Sequence, residues 1–308
     1  LKVNYHIFAN NLKLNMKKPT IGFIGLGLMG ANMVENLQKR GYELTVIDLN
    51  KEAVAAVIAR GNASEATSPK ELAEKSDIVM LCLTTSAVVE KIVYGDEGIL
   101  AGIKKGAVLI DFGTSIPEST KKIGKDLANK GAGMIDAPLG RTPAHAKDGL
   151  LNIMAAGNKE TFEKVKPVLD EQGENIFYLG ALGAGHTTKL INNFMGMTTV
   201  VAMSQAFAAA KLAGVDGQQL FDIMSSGPSN SPFMKFCKHY AVDNVSDLGF
   251  SIANANKDLG YFVQMMKDLG TVSQIAEATS SNLQAAFDAD MGSENVPEIF
   301  DYFMKLKK

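Results

Sequence analysis

The sequence predicts an α/β domain of the doubly wound type followed by an all-α domain, with one long helix joining the two. Short apolar runs alternate with helical patterns from Thr20 to Leu179, the order expected when helices cover both faces of a parallel sheet. From Gly183 onward only helical patterns occur. The joining helix is predicted because no Asp, Glu, Lys or Arg separates Lys189 from Lys211.

The length of the chain also favours two domains. Its 308 residues exceed the roughly 100 to 200 residues of one typical domain, and we predict a first domain over 16–180 and a second over 181–308. Residues 1–15 precede Met16 and are interpreted as an N-terminal extension. They lack the basic start and continuous apolar stretch of a signal peptide, so the cytoplasm is the expected compartment.

Composition and charge exclude several classes of protein. A hydrophobic content of 46% with 21% charged residues is ordinary for a globular chain. A net charge of -2 gives no general attraction to nucleic acid or to an anionic membrane, so neither is an expected partner. Cys82 and Cys237 lie far apart and form no cluster with histidine, and we expect no disulfide framework and no metal site.

The first strand, Thr20–Ile24, runs into a glycine-rich turn, and a helical pattern then continues to Arg40. A strand, a GxGxxG turn and a helix in this order predict a Rossmann-type dinucleotide site. The first glycine permits a tight turn, the second lets a pyrophosphate approach the backbone, and the third lets the helix pack on the strand. A glycine turn without a ligand is the alternative. The predicted cofactor contacts here are Gly25, Leu26, Gly27, Leu28, Met29 and Gly30.

Asp48 ends the second predicted strand, Tyr42–Ile47. An acid at this place accepts hydrogen bonds from the adenosine ribose and repels a 2′-phosphate, so the sequence favours NAD over NADP. A second interpretation, compatible with the first, is that Asp48 caps the helix predicted to begin near Lys51.

The alternation then continues to the end of the first domain. Residues Ser68 to Glu71 match a capping box with a proline at the first helical position. Because ligands bind at the carboxyl ends of parallel strands, we expect contacts near Leu83, Thr84, Thr85 and Thr114. The further predicted elements are helices Lys51–Arg60, a helix from Pro117 and Lys159–Gln172, and strands Asp77–Leu83, Ala107–Phe112, Met134–Ala137, Leu150–Ala155 and Asn175–Leu179. The predicted helices of the second domain lie near 186–213, 216–226, 252–269, 273–289 and 297–307.

Lys189 stands at the head of the long apolar helix. Helical spacing places Asn192, Asn193 and Gly196 on its face. Loss of hydration lowers the pKa of an ammonium toward the range in which it exchanges protons, so this stripe predicts a catalytic lysine. One alternative is a lysine that reaches solvent from a helix end. Another is a membrane span over Leu190–Ala210, which the polar side chains within that stretch disfavour.

Arginine occurs only at Arg40, Arg60 and Arg141. The first two precede helix-ending glycines, where a cation suits the helix dipole. Arg141 has no comparable explanation, and it lies in a predicted loop over 136–149 that leaves a strand. Its planar fork could bind a carboxylate, a sulfonate or a phosphate, and the alternative is an exposed loop arginine.

Five ordered motifs together resemble the β-hydroxyacid dehydrogenase family, from about Thr20 to the end of the chain. They are GFIGLGLMGANMVENL, Asp111 with Thr114, the DAP segment at 136–149, GAGHTTKLINN at 183–193, and Asn256-Lys257-Asp258-Leu259-Gly260. The family commonly has VSGG after DAP, whereas here Leu139-Gly140-Arg141-Thr142 follows. This version looks like the branch that reduces 3-sulfolactaldehyde and is also associated with succinate semialdehyde. Gly196 stands where that branch is expected to have serine.

The resemblance implies an NAD-dependent reductase of a short anionic aldehyde, acting reversibly, with Lys189 as the general acid and base. It implies substrate contacts from Gly140, Arg141, Thr142, Asn192, Asn193, Gly196 and Lys257, a further cofactor contact from Lys257, and a homodimer or homotetramer. In this interpretation 3-sulfolactaldehyde becomes 2,3-dihydroxypropane-1-sulfonate. Succinate semialdehyde with 4-hydroxybutyrate, tartronate semialdehyde and 3-hydroxyisobutyrate are alternative substrates.

Two further functions remain open at this stage. A non-catalytic dinucleotide sensor is disfavoured by the intact Lys189 stripe. A decarboxylating enzyme of the phosphogluconate type would need a far longer helical region.

Overall fold

The computed structural model describes residues 18–306, so the predicted extension over 1–15 lies outside the described residues. The described chain forms two compact units. The first contains the residues up to Gly113 together with Glu118–Gly185. The second contains Thr114–Pro117 and the residues from His186 onward. This division falls after the start of the long helix, whereas the predicted boundary lies between 180 and 181.

A single mixed sheet organises the first unit. Over the described residues its nine strands lie in the order β3-β2-β1-β4-β5-β6-β8-β7, with β9 paired to β8. Strands β1 to β6 are mutually parallel, while β8 runs antiparallel to β6 and β7. The strands are β1 Ile21–Ile24, β2 Leu44–Ile47, β3 Ala63–Glu65, β4 Ile78–Leu81, β5 Val108–Asp111, β6 Gly133–Asp136, β7 Leu139–Gly140, β8 Leu151–Gly157 and β9 Gly173–Tyr178.

Helices alternate with these strands, as the sequence predicts. They are α1 Leu28–Lys39, α2 Lys51–Ala59, α3 Pro69–Lys75, α4 Ser86–Tyr94, α5 Ile99–Gly102, α6 Pro117–Asn129, α7 Pro143–Asp148 and α8 Lys159–Leu169. Successive strand side chains point to opposite faces, so Ile78 and Met80 join one buried cluster while Val79 and Leu81 join another. Both faces of the central strands are therefore buried, which explains their continuously apolar sequence. The doubly wound α/β class is confirmed.

The second unit is helical. Its elements are α9 Ala184–Leu212, α10 Gly217–Ser225, α11 Pro232–Ala241, α12 Ile252–Asp268, α13 Gln274–Ala286, a π-helical turn Phe287–Met291, a 3-10 turn Val296–Glu298 and α14 Ile299–Lys305. Helix α9 begins in the first unit and continues into the second. Leu190, Val200 and Phe207 are buried on it, in one cluster with side chains of α11, α12 and α13. Throughout residues 18–306, which include Leu190–Ala210, each helix is too short or too polar to span a membrane.

Several local features differ from the predictions, and β3, α4 and α5 are among the elements that the sequence did not predict. The segment 136–149 is not a plain loop, because it contains β7 and α7. Helix α11 was not predicted, although Ser231 and Pro232 carry the signal: the Ser231 hydroxyl accepts the Phe233 N–H at 3.3 Å at the start of that helix. The capping box is incomplete, because only its first half forms.

The Ser68 hydroxyl does cap α3, accepting the Glu71 N–H at 3.2 Å. The Glu71 carboxylate, however, accepts from the backbone N–H of Thr67 at 2.7 Å and from its hydroxyl at 2.6 Å, and not from Ser68. The reciprocal bond has therefore moved by one residue.

Candidate active site

The glycine turn between β1 and α1 is shaped by backbone crowding on one side and open space on the other. Gly25 has a φ of +101°, and a β-carbon there would overlap the carbonyl oxygen of Cys82. A β-carbon at Gly30 would overlap the carbonyl oxygen of Gly25. At Gly27, by contrast, no described atom outside Gly27 and its chain neighbours lies within 4 Å of the β-carbon position. Two of the glycines are required by the fold, and the third leaves room against the backbone.

The start of α1 suits a phosphate group. Gly27 is the N-cap residue, and within residues 18–306 no side chain provides a cap hydrogen bond and no acid stands in the first turn. The first N–H groups of this helix therefore carry the partial positive charge of the dipole. The Leu26 side chain is buried in the core, whereas Leu28 is exposed next to the turn. The turn consequently fits the pyrophosphate of a dinucleotide.

Asp48 lies at the end of β2, beside this turn. Its carboxylate accepts the Leu26 N–H at 2.5 Å and the Asn50 N–H at 2.7 Å. These bonds hold the carboxylate against the glycine turn. The expectation that Asp48 caps the next helix is wrong, because Asn50 is the N-cap of α2 and accepts the N–H groups of Glu52 and Ala53.

The predicted contacts after β4 differ in exposure. Leu83 is half-buried, with its side chain close to Gly25, and Thr84 is exposed. Thr85 has a structural explanation, since its hydroxyl accepts the Val88 N–H at 3.2 Å and caps α4. The carboxyl ends of β1, β2 and β4 lie at one edge of the parallel sheet. The structure therefore brings the glycine turn, Asp48 and Leu83–Thr84 to one edge of this unit, as the rule for such sheets requires.

In the second unit, α9 and α12 build a network of polar side chains. The Asn193 amide nitrogen donates to Oδ2 of Asp258 at 2.6 Å, and Nζ of Lys257 lies 2.8 Å from Oδ1 of Asp258. Asn193 is 7% exposed and Asp258 is 3% exposed. Asn193 lies one helical turn beyond Lys189, so it connects the head of α9 to this buried carboxylate.

The charge state of Lys189 depends on the same network. Burial lowers the pKa of Lys189 below its ordinary value, the carboxylate of Asp258 raises it, and the ammonium of Lys257 lowers it. Desolvation is the largest of the three effects. The structure thus supports the sequence argument that Lys189 has a depressed pKa.

Lys257 brings a distant segment into this network. Its ammonium approaches the carbonyl oxygen of Thr114 at 3.5 Å and lies 5.2 Å from the centre of the Tyr261 ring. Thr114 and Lys257, both predicted cofactor contacts, are therefore neighbours. Asp258 is the residue that sequence reasoning missed, although it stands directly after Lys257 in a recognised motif.

The other two stripe residues have different surroundings. Asn192 is exposed, and its amide nitrogen is 3.4 Å from the Asn193 amide oxygen. Gly196 is buried against the Phe233 ring, whose Cζ would lie 3.0 Å from a β-carbon. A serine at this position would crowd that ring. Packing therefore explains the glycine, in addition to any role near the substrate.

Arg141 has local partners that the sequence did not reveal. Its Nη1 donates to the carbonyl oxygen of Leu150 at 2.7 Å and lies 2.5 Å from Oε2 of Glu174. Gly140 is paired with Asn152 between β7 and β8, and the Thr142 hydroxyl is 2.7 Å from Nδ1 of His145. Gly140, Arg141 and Thr142 thus all have partners within the first unit.

Comparison with known proteins agrees with this geometry. Residues 20–180 match the family model of the NAD-binding domain of 6-phosphogluconate dehydrogenase, and 183–302 match the NAD-binding model of NADP-dependent 3-hydroxyisobutyrate dehydrogenase. The chain is 34% identical to an NAD-dependent L-serine dehydrogenase of Pseudomonas aeruginosa, over 85% of this chain and 87% of that protein. The chain belongs to the β-hydroxyacid dehydrogenase family.

Other members of the family carry different names. The chain is 29% identical to the 3-sulfolactaldehyde reductase of Escherichia coli, over 91% of this chain and 94% of that protein. The solved structure of a Mycobacterium tuberculosis 3-hydroxyisobutyrate dehydrogenase with L-serine superposes with a TM-score of 0.84 at 26% identity, covering 93% of this chain and 99% of that one. The protein is therefore an NAD-binding oxidoreductase of the β-hydroxyacid dehydrogenase type, acting on a small hydroxy acid or aldehyde.

Proposed function

We propose that this dehydrogenase interconverts a short anionic aldehyde and its alcohol, with Lys189 as the group that moves the proton. The observation that carries the proposal is the head of α9, where a lysine of depressed pKa lies one turn from the buried Asn193–Asp258–Lys257 network. A lysine at this place can exchange a proton in the pH range of an enzyme.

The hydride is supplied by the cofactor, and the proton by the protein. Bound NAD supplies the hydride acceptor or donor. Residues Gly25–Gly30, Asp48, Leu83, Thr84, Thr114 and Lys257 are proposed to hold it. In the direction of alcohol oxidation, neutral Nζ of Lys189 takes the hydroxyl proton; in the direction of aldehyde reduction, the ammonium returns it. Asp258 accepts a hydrogen bond from the Asn193 amide nitrogen and so fixes the orientation of that amide. The Asn193 amide oxygen is proposed to orient Lys189 and the substrate.

For the substrate, the sequence Gly140-Arg141-Thr142 favours a sulfonated aldehyde, with 3-sulfolactaldehyde and 2,3-dihydroxypropane-1-sulfonate as the pair. Arg141 is proposed to bind the sulfonate, and Thr142 and Asn192 are proposed as further donors. The second candidate is a 3-hydroxycarboxylate, because L-serine and 3-hydroxyisobutyrate, named in two relatives, both have a primary alcohol next to the carbon that bears a carboxylate. Succinate semialdehyde and tartronate semialdehyde belong to the same test.

The test is a screen of NADH oxidation with 3-sulfolactaldehyde, succinate semialdehyde, tartronate semialdehyde, methylmalonate semialdehyde and a neutral aldehyde of similar size. The reverse reaction is followed with L-serine and 3-hydroxyisobutyrate. We expect the highest kcat/KM with 3-sulfolactaldehyde, and we expect Lys189→Ala to lower kcat with every substrate by on the order of 10² to 10⁴. Equal efficiency with the neutral aldehyde would contradict the anionic class, and a preference for the 3-hydroxycarboxylates would select the second candidate.

The proposed assembly is a homodimer or homotetramer, as the resemblance implies. Light scattering coupled to size-exclusion chromatography measures it directly.

A further inference from the structure

The backbone of Arg141 is fixed in an uncommon conformation. Its φ is +77°, in the left-handed region that residues other than glycine seldom adopt. On one side Leu139 and Gly140 pair with Ile153 and Asn152 of β8, and on the other side α7 begins at Pro143. The direction in which the Arg141 side chain leaves the backbone is therefore set by the strand pairing and by the helix that follows.

The Arg141 side chain crosses the end of β8 and reaches Glu174 on β9. Both of its polar contacts among the described residues, to the carbonyl oxygen of Leu150 and to the Glu174 carboxylate, are made by Nη1. A carboxylate or sulfonate that occupied the guanidinium fully would take two parallel N–H donors. An anion that bound Nη1 together with Nη2 would therefore have to displace the Glu174 carboxylate from Nη1.

The exposure of both side chains makes it easy for another anion to replace Glu174 at the guanidinium of Arg141. The Arg141 and Glu174 side chains are 29% and 51% exposed. The Lys257–Asp258 pair of the second unit, by comparison, is 19% and 3% exposed. Exposed ion pairs contribute little free energy, because water screens both charges. A substrate anion that made two hydrogen bonds to the fork would outcompete Glu174.

We propose that Glu174 is a specificity-determining residue, whose carboxylate competes with the charged end of the substrate for the guanidinium of Arg141. The inference rests on the proposed role of Arg141 in substrate binding. It implies that the measured KM for an anionic substrate includes the free energy needed to displace Glu174. A neutral substrate of the same size avoids this requirement.

The decisive variant is Glu174→Gln, which keeps the shape of the side chain and removes its charge. We expect KM for 3-sulfolactaldehyde, or for the best anionic aldehyde of the screen, to fall by about two- to fivefold with kcat nearly unchanged, since ~1 kcal/mol corresponds to about fivefold. The KM for a neutral aldehyde should stay the same.

A matched control exists in the same unit. Glu171 pairs with Arg40 at 2.5 Å, with side chains 32% and 39% exposed. Glu171→Gln removes an equivalent exposed Arg–Glu pair without touching Arg141. It should leave the ratio of anionic to neutral kcat/KM at the parental value.

A double-mutant cycle separates competition from a general charge effect. In an Arg141→Ala background, Glu174→Gln should not change KM for either the anionic or the neutral substrate, because the guanidinium for which Glu174 competes is absent. The proposal is overturned if Glu174→Gln changes both substrates alike, leaves the anionic KM unchanged, raises it, or acts equally in the Arg141→Ala background.

The failure of this inference can be distinguished from failure of the proposed function. If Lys189→Ala lowers kcat in every variant by on the order of 10² to 10⁴, the proposed proton transfer is supported, independently of the effect of Glu174→Gln on KM. If Arg141→Ala lowers kcat/KM equally for anionic and neutral aldehydes, the arginine is structural and the Glu174 inference is overturned while the reaction class stands.

Discussion

The glycine turn of the first unit and the head of α9 in the second are built from different parts of the chain. The turn consists of backbone atoms from six consecutive residues. Its shape depends on missing side chains at Gly25 and Gly30, and Gly27 leaves open space beside the backbone. The α9 site consists of side chains, and its members Asn193 and Asp258 lie on two helices and are 65 residues apart in sequence. A local backbone site can be recognised from a short motif, whereas a site of side chains depends on which helices pack together.

The two sites should therefore respond differently to substitution. In the turn, an added methyl group changes the stability of the fold or the affinity for the cofactor, because it clashes with the backbone or fills open space. At α9, removal of one functional group changes kcat or the pH profile, because it alters charge and proton transfer. The predictions below test this contrast.

The largest effect is expected at Lys189. Lys189→Ala should lower kcat by on the order of 10² to 10⁴, the usual contribution of general acid–base catalysis, while the affinity for NADH stays nearly the same. Lys189→Arg should not restore activity, because a guanidinium does not give up its proton. Steady-state kinetics and a titration of NADH fluorescence measure the two quantities. Turnover within a few fold of the parent would move the chemistry elsewhere, with Lys257 as the next candidate.

A matched pair of glycine substitutions tests the turn. Gly30→Ala places a methyl group on the carbonyl oxygen of Gly25 and should lower the free energy of unfolding by roughly 1 to 3 kcal/mol. Gly27→Ala has open space and a φ of -65°, so the free energy of unfolding should change by less than about 0.5 kcal/mol. Its affinity for NADH should nevertheless fall, because the methyl group occupies space beside the proposed pyrophosphate position. Urea unfolding and cofactor titration separate these effects, and a Gly27→Ala protein that binds NADH like the parent would contradict the proposed phosphate site.

The cofactor preference tests Asp48. Its carboxylate stands against the glycine turn, and no arginine follows it in Leu49-Asn50-Lys51. We expect kcat/KM with NADH to exceed that with NADPH by at least ~tenfold, equivalent to about 1.4 kcal/mol. Asp48→Asn should reduce this ratio, while an amide oxygen can still accept the Leu26 N–H. Equal efficiency of the parent with both cofactors would refute the interpretation of Asp48.

The smallest effect is a shift of the pH profile. Asp258 raises the pKa of Lys189 and Lys257 lowers it, so Asp258→Asn removes the first influence and leaves Lys257 without its ion-pair partner. With the raising influence gone and the lowering influence of Lys257 kept, the pKa of Lys189 should fall. Alcohol oxidation requires neutral Lys189, so its rate rises with pH through that pKa, and the rising limb should move to lower pH in the variant.

Asp247→Asn is the control for this shift. Asp247 is an exposed carboxylate of the same unit that pairs with His239 at 2.8 Å. Its removal should leave the profile in place. An unmoved or upward-shifted limb in Asp258→Asn would mean that Asp258 does not tune Lys189.

The sequence by itself determined the doubly wound class, the glycine turn, the long helix and the lysine at its head. These features are local: strand and helix periods, the left-handed φ of Gly25, and a helical stripe from Lys189 to Gly196 all follow from neighbouring residues. The same locality explains the incorrect predictions. The Thr67 N–H donates to the Glu71 carboxylate, whereas a capping box would have the Ser68 N–H donate to it. Helix α11 is absent from the predicted helices, although Ser231 and Pro232 mark its start.

Only the tertiary structure decided which side chains meet. Asp258 lies at the centre of the α9 network because α12 packs against α9. Lys257 contacts Thr114, which lies 143 positions earlier in the sequence. Arg141 acquired Glu174 as a partner because β8 places β7 and β9 on its two sides. Hydrogen bonds and ion pairs act over a few ångströms, and proximity between distant segments is set by the packing of whole elements rather than by the spacing of residues along the chain.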